Sequence, residues 1–123
     1  MGKVPLKTRL KKQADRLWFE VCLKRNPRCL LCGGKAKQVH HFFPKGQYSP
    51  LRYSLDNGIS LCMGCHFKLH HSDASLTAEI RHIMGGVWYN RLKKQAELKG
   101  TLNTSQWYKR NMENLRLLNE HSS

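Results

Sequence analysis

Four of the five cysteines fall into two C-x-x-C pairs, Cys29-x2-Cys32 and Cys62-x2-Cys65. Zinc favours a tetrahedron of soft ligands, and each tight C-x-x-C turn can supply two thiolates. Two pairs complete the shell and leave no open position, so this zinc is expected to hold structure rather than perform chemistry. A redox dithiol usually comes as a single pair beside a βαβ pattern, which this chain lacks. Cys22 stands outside the pairs, one helical turn beyond Trp18, and reads as a packed apolar side chain.

Five of the seven histidines lie between positions 40 and 71. His66 and His70 are spaced i, i+4 on a helix opened by Cys65, so both face one way and can bind a divalent ion. His40 and His41 are adjacent, and neighbouring strand residues point to opposite faces. They are therefore either an exposed doublet or one site built where a strand ends, as Phe42-Phe43-Pro44 allows. The two cysteine pairs tether the strand and the helix, so one zinc would clamp both walls of a cleft. Asp56 and Asp73 are the only acids nearby in sequence, which argues against a two-metal carboxylate mechanism. His71 and His82 receive no role.

The elements that must position these groups follow from periodicity. Leu10, Ala14, Leu17, Trp18 and Val21 predict a basic N-terminal helix over 8–25, capped by Thr8 and stopped at Asn26-Pro27. Its other face carries Lys11, Lys12, Arg16, Lys24 and Arg25, a solvated face or a phosphate-binding one. Gly33-Gly34 predicts a turn, and Val39 to Phe43 a strand ended by Pro44. A Gly-, Pro- and Ser-rich loop over 44–58 leads to a second short strand, Ile59 to Leu61. The helix from Cys65 is expected to break at Ser72-Asp73.

Over 75–120 the chain is expected to be helical. Leu76, Ile80, Ile83 and Met84 form one apolar face after a Ser75 cap, and Gly85-Gly86 interrupts it. Trp88, Leu92 and Ala96 continue on a helix ended by Gly100. Thr104 or Ser105 caps a third helix with Tyr108, Met112, Leu115 and Leu118 inward. These aromatics read as core rather than as platforms for stacked bases.

The chain has 123 residues, one domain's worth spanning 1–123. Lys and Arg number 22 against eight acids, a net charge of +14 with a pI near 10.0. Such a balance points to a polyanionic partner, usually nucleic acid. No transmembrane run, apolar anchor or secretory signal is visible, so a cytoplasmic protein without a membrane partner is expected.

The combination Cys29-x2-Cys32, Val39-His40-His41, Asn57 through Leu61, and Cys62-x2-Cys65-His66-x3-His70 resembles the HNH endonucleases. The likeness covers about residues 29–71. More loosely, "LRYSLDN" before the second cysteine pair and the basic helical tail resemble phage recombination endonucleases of the lambda Nin-region type, which usually lack the terminal C-H-x3-H. The resemblance implies an α+β fold: a zinc-stapled ββα-metal (treble-clef) core over 29–71, flanked by the N-terminal helix and the C-terminal helices. It implies that His40 binds a catalytic divalent ion (Mg²⁺, Mn²⁺ or Ni²⁺) with His66 and His70. It makes His41 the general base and Asn57 the residue that ties down the loop. The His40-His41 pair is similar to the Asp-His pair of other members of that family, among which an Asp-to-His change is common.

The expected activity is metal-dependent hydrolysis of DNA phosphodiester bonds to leave 5′-phosphate ends. Lys45, Arg52 and Lys68 flank the expected cleft as phosphate-contact candidates, joined by Lys11, Lys12 and Arg16 on the first helix. No base-reading motif is evident, so the partner expected is double-stranded or branched DNA gripped through its backbone. Junction resolution, with two symmetric cuts, would suggest a homodimer. A non-catalytic zinc module that binds nucleic acid would explain the charge and the zinc but not His40, His41, Asn57, His66 and His70 together, whereas a nuclease acting on RNA shares all these features.

Overall fold

The computed structural model describes residues 4–71, 74–98 and 100–120. It is a mostly helical α+β protein with a two-strand hairpin and a four-cysteine cluster. Helix α1 spans Leu6–Arg25, strands β1 and β2 span Gln38–His41 and Gly58–Leu61, and α2 spans Met63–His71. Helices α3, α4 and α5 follow at Ser75–Met84, Gly86–Ala96 and Ser105–Glu120.

Several boundaries differ from expectation. α1 starts before Thr8, with Pro5 at its N-cap position, so Thr8 lies inside the helix. A proline suits that place because the first helical N–H groups have no intrahelical partner. Asn26 does stop the helix, its N–H closing on the Cys22 carbonyl at 2.9 Å. β1 ends at His41 rather than Phe43, because Phe42 N bonds the Asn57 carbonyl at 3.0 Å and Phe43 N bonds the Asn57 side chain at 2.8 Å. α2 opens at Met63, ahead of Cys65. The break expected at Ser72-Asp73 lies outside the described residues.

Ser75 is the first residue of α3 rather than its cap. Gly85, at φ +92°, separates α3 from α4 in a conformation that favours glycine. α4 ends at Ala96, ahead of Gly100. Thr104 caps α5, its Oγ1 accepting from Trp107 N at 3.1 Å. Ile83 and Leu118, expected inward, are 45% and 47% exposed, whereas Ile80, Trp88, Leu92, Trp107, Tyr108, Met112 and Leu115 are buried.

β1 and β2 pair antiparallel, with Val39 opposite Ser60, His40 opposite Ile59 and His41 opposite Gly58. Directly opposed residues share a face, so Val39, His41 and Gly58 turn to one side and His40 and Ile59 to the other. The first side packs on α1, in a core of Leu10, Ala14, Trp18, Cys22 and Val39 that the buried residues of α5 complete from the other side of α1. The second core gathers Cys29, Leu51, Ile59, Leu61, Ile80, Trp88 and Leu92. Gly58 is a close-approach glycine: a Cβ there would lie 2.7 Å from Cys22 Sγ and 3.0 Å from the Trp18 ring.

The segment between the strands is pinned by two indoles. Trp18 Nε1 donates to the Ser54 carbonyl at 2.9 Å, and Trp88 Nε1 to the Asp56 carbonyl at 2.8 Å. α2 is different, because it has no buried side chain.

Candidate functional site

The cysteine cluster forms where a turn meets the end of β2. Cys29 N bonds the Gly34 carbonyl at 2.7 Å, Gly33 N bonds the Cys29 carbonyl at 2.9 Å, and Gly33 takes φ +78°. Leu30 N and Lys37 N bond the carbonyls of Ser60 and Leu61, each at 3.0 Å, which lays this turn against the strand leading into Cys62. All four sulfurs lie within 4.8 Å of one another. Cys32 and Cys62 sulfurs are 3.7 Å apart, against about 3.8 Å for the edge of a tetrahedron with Zn–S bonds of about 2.3 Å.

The thiols' chemistry fits a cation. Burial pushes Cys29 up, but backbone hydrogen bonds from Cys62, Cys32 and Leu31 outweigh it and bring Cys29 down to about 6. Burial and the neighbouring sulfurs push Cys65 up to about 12. Crowded sulfurs resist ionising together unless a positive ion joins them, and a bound cation deprotonates coordinating thiols. Cys29, Cys32, Cys62 and Cys65 can therefore hold a structural zinc. Cys22 is buried away from them, its thiol pushed up to about 12 by that burial, as a packed side chain should be.

His40, His66 and His70 form a second cluster, with ligand nitrogens all within 4.8 Å of one another. His66 and His70 Nε2 atoms are 2.9 Å apart, close to the edge of about 3 Å for neighbouring ligands at right angles with bonds of about 2.1 Å. Burial, then His70, His66 and His41, holds His40 down to about 4, so its imidazole is neutral at pH 7. His66 is lowered too, by burial and by His70. These three residues can hold a divalent cation, and only neutral imidazoles can ligate one.

His41 sits on the opposite face of β1. Its ring stacks on Trp18 with centroids 3.9 Å apart and planes 12° apart. Its Nε2 is 2.9 Å from the Arg52 carbonyl. A carbonyl only accepts, so the proton is assigned to Nε2 and the Nδ1 lone pair is left available. Burial is the main cause holding His41 below the ordinary histidine value, with Lys45 and Arg52 adding to it. The carbonyl bond and Asp15 pull the other way.

Although they leave the strand on opposite faces, His40 and His41 line one open cavity of about 310 Å³, with Pro44, Lys45, Gly46, His66 and His70. The strand ends at His41, so the cavity wraps its end. Asn57 is fully buried: its Oδ1 accepts from Phe43 N at 2.8 Å, and its Nδ2 donates to the carbonyls of Phe43 at 3.0 Å and Leu51 at 3.3 Å. It closes the loop between the strands.

The cationic candidates separate. Lys45, Lys68, Lys11 and Lys12 are exposed, and Lys45 alone of these lines the cavity. Arg16 is exposed and pairs with Glu20 at 3.5 Å. Arg52 corrects the expectation of a phosphate contact. It is buried, and its Nε and Nη2 donate to the two carboxylate oxygens of Asp15 at 2.9 and 2.7 Å.

Sequence reasoning missed Asp15 and Trp18. Asp15 is the acid behind the site, whereas Asp56 pairs with Arg91 at 3.5 Å and Asp73 lies outside the described residues. The available signal was a lone acid among Lys11, Lys12 and Arg16, next to the apolar face of α1. No family model, curated protein or solved structure matches the chain. Among the described residues, no helix is long and apolar enough to cross a membrane.

Proposed function

We propose that this protein is a metal-dependent endonuclease of the HNH type, with a ββα-metal core of β1, β2 and α2, acting on double-stranded or branched DNA. The observation that carries this reading is the cavity at the end of β1. Three imidazoles converge on one wall of it, and a fourth, stacked and hydrogen-bonded, stands on the other. A surface doublet would need none of this.

Hydrolysis of a phosphodiester needs an activated water, a neutralised phosphate and a stabilised leaving oxygen. His41 suits the first task, being neutral at pH 7 with one ring nitrogen unprotonated. The water oxygen bonds to phosphorus, one of its protons passes to His41, and the P–O3′ bond breaks to leave a 5′-phosphate and a 3′ oxygen that takes a proton from solvent. When bound at His40, His66 and His70, a divalent cation supplies charge at the phosphate and at the departing oxygen. Three imidazoles without a carboxylate suit Mn²⁺, Ni²⁺ or Co²⁺ better than Mg²⁺. Lys45 reaches the phosphate, Asn57 fixes the loop, and the +14 charge supplies the salt-sensitive grip.

The test is incubation of the zinc-loaded protein with supercoiled plasmid, with and without added Mn²⁺, Ni²⁺ or Mg²⁺. Nicking or cutting should appear only with added cation. Tight, salt-sensitive DNA binding without cutting under every cation would instead identify a non-catalytic nucleic-acid-binding module.

A further inference from the structure

We propose that Asp15 and Trp18, on a helix outside the hairpin-and-α2 core, are positioning residues that fix the ring plane and the tautomer of His41. The proposal rests on the endonuclease reading for its catalytic consequence, and on geometry alone for its structural part. His41 is held at two points: its face lies on Trp18, and its Nε2 meets the Arg52 carbonyl at 2.9 Å. Neither contact comes from the elements that carry the cation ligands.

The carbonyl can hold the ring only if the turn carrying it is fixed, and α1 fixes it residue by residue. Asp15 takes the Arg52 guanidinium in a two-point clamp, at 2.9 and 2.7 Å. Tyr53 Oη donates to the same carboxylate at 2.8 Å, and Trp18 Nε1 donates to the Ser54 carbonyl at 2.9 Å. Three consecutive residues are thus held by two side chains one turn apart on α1. The bidentate Arg–carboxylate geometry sets direction as well as distance. The Arg52 and Tyr53 hydrogen bonds outweigh burial and keep the Asp15 carboxyl below its ordinary value, so the clamp is charged at neutral pH.

A structural ion pair that merely stabilises the fold would not control which nitrogen of His41 carries the proton. Ring ¹⁵N NMR of His41 in zinc-loaded protein, beside kcat and KM on plasmid, separates the cases. Wild-type His41 should show the Nε2–H tautomer, and Asp15→Asn should show a mixture of tautomers. With it kcat should fall about 10- to 100-fold, the scale for residues that orient a functional group through a hydrogen bond, while KM and zinc content hold. Asp15→Asn leaves the buried Arg52 charge without its partner, so Asp15→Leu/Arg52→Met, which removes both charges, is the second variant and should show the same loss.

An unchanged Nε2–H tautomer in a folded variant overturns the proposal whatever its activity. A wild-type kcat in a variant whose tautomer is mixed overturns the catalytic part. If the wild-type protein cuts no DNA, the endonuclease reading fails, and the NMR comparison still decides whether α1 positions His41.

Discussion

Stripping a structural zinc from the four-cysteine cluster should unfold this protein. α2 has no buried side chain, and both Met63 and Phe67 on it are more than half exposed. What joins it to the rest is Cys62 and Cys65 at one end, the histidines at the other, and a single half-buried leucine, Leu69, against the second core. Cys29, by contrast, is buried in the second core, so the cluster ties that core to α2. Structural zinc in small domains binds with about 10–16 kcal/mol at neutral pH, comparable to the about 5–15 kcal/mol that a whole domain has in reserve. Chelation at neutral pH, or Cys62→Ser, should therefore abolish the cooperative thermal transition and sharply reduce the far-UV circular dichroism. A spectrum unchanged after measured loss of zinc would show that apolar packing alone holds the fold.

His66→Ala should lose the divalent cation and keep everything else. The side chain is half-buried, belongs to neither apolar core, and faces only His40 and His70 among the rings of the described residues. Its removal leaves two imidazoles where three converged, so Mn²⁺ affinity measured by calorimetry should fall by at least about 100-fold, beyond the 10- to 100-fold typical of residues one shell further out. Zinc content by elemental analysis and the melting temperature should match the wild type. If the variant loses its zinc or its fold, the histidines belong to the structural centre and the division into two metal sites is wrong.

Much of the site was legible because its signals are local. A C-x-x-C pair brings its own two ligands together, and His66 with His70 needs only one helical turn. The alternation of His40 and His41 was legible as well. Its resolution was not, because it depends on where the strand stops. Asn57 decides that by capturing Phe43 from 14 positions away. Contacts between distant segments left the faintest trace. Asp15 and Arg52 are 37 residues apart, and neither has a sequence pattern that names the other. Arg52 therefore read as a surface cation when it is a buried partner. The helix edges failed for a different reason: Thr8 and Ser75 are good caps by type, but the chain carries each helix past them. Ile83 and Leu118 continue an apolar face to its edge, where each stays about half exposed.

The most direct measurement is plasmid cleavage by wild type and His41→Ala side by side, zinc-loaded, in the cation that serves the wild type best. Loss of a general base costs about 10²- to 10⁴-fold, so the account predicts cutting by the wild type and a loss of that order in a folded variant that still binds Mn²⁺. Cutting by His41→Ala at the wild-type rate would contradict it, and would return His40 and His41 to two neighbouring residues at the end of a strand.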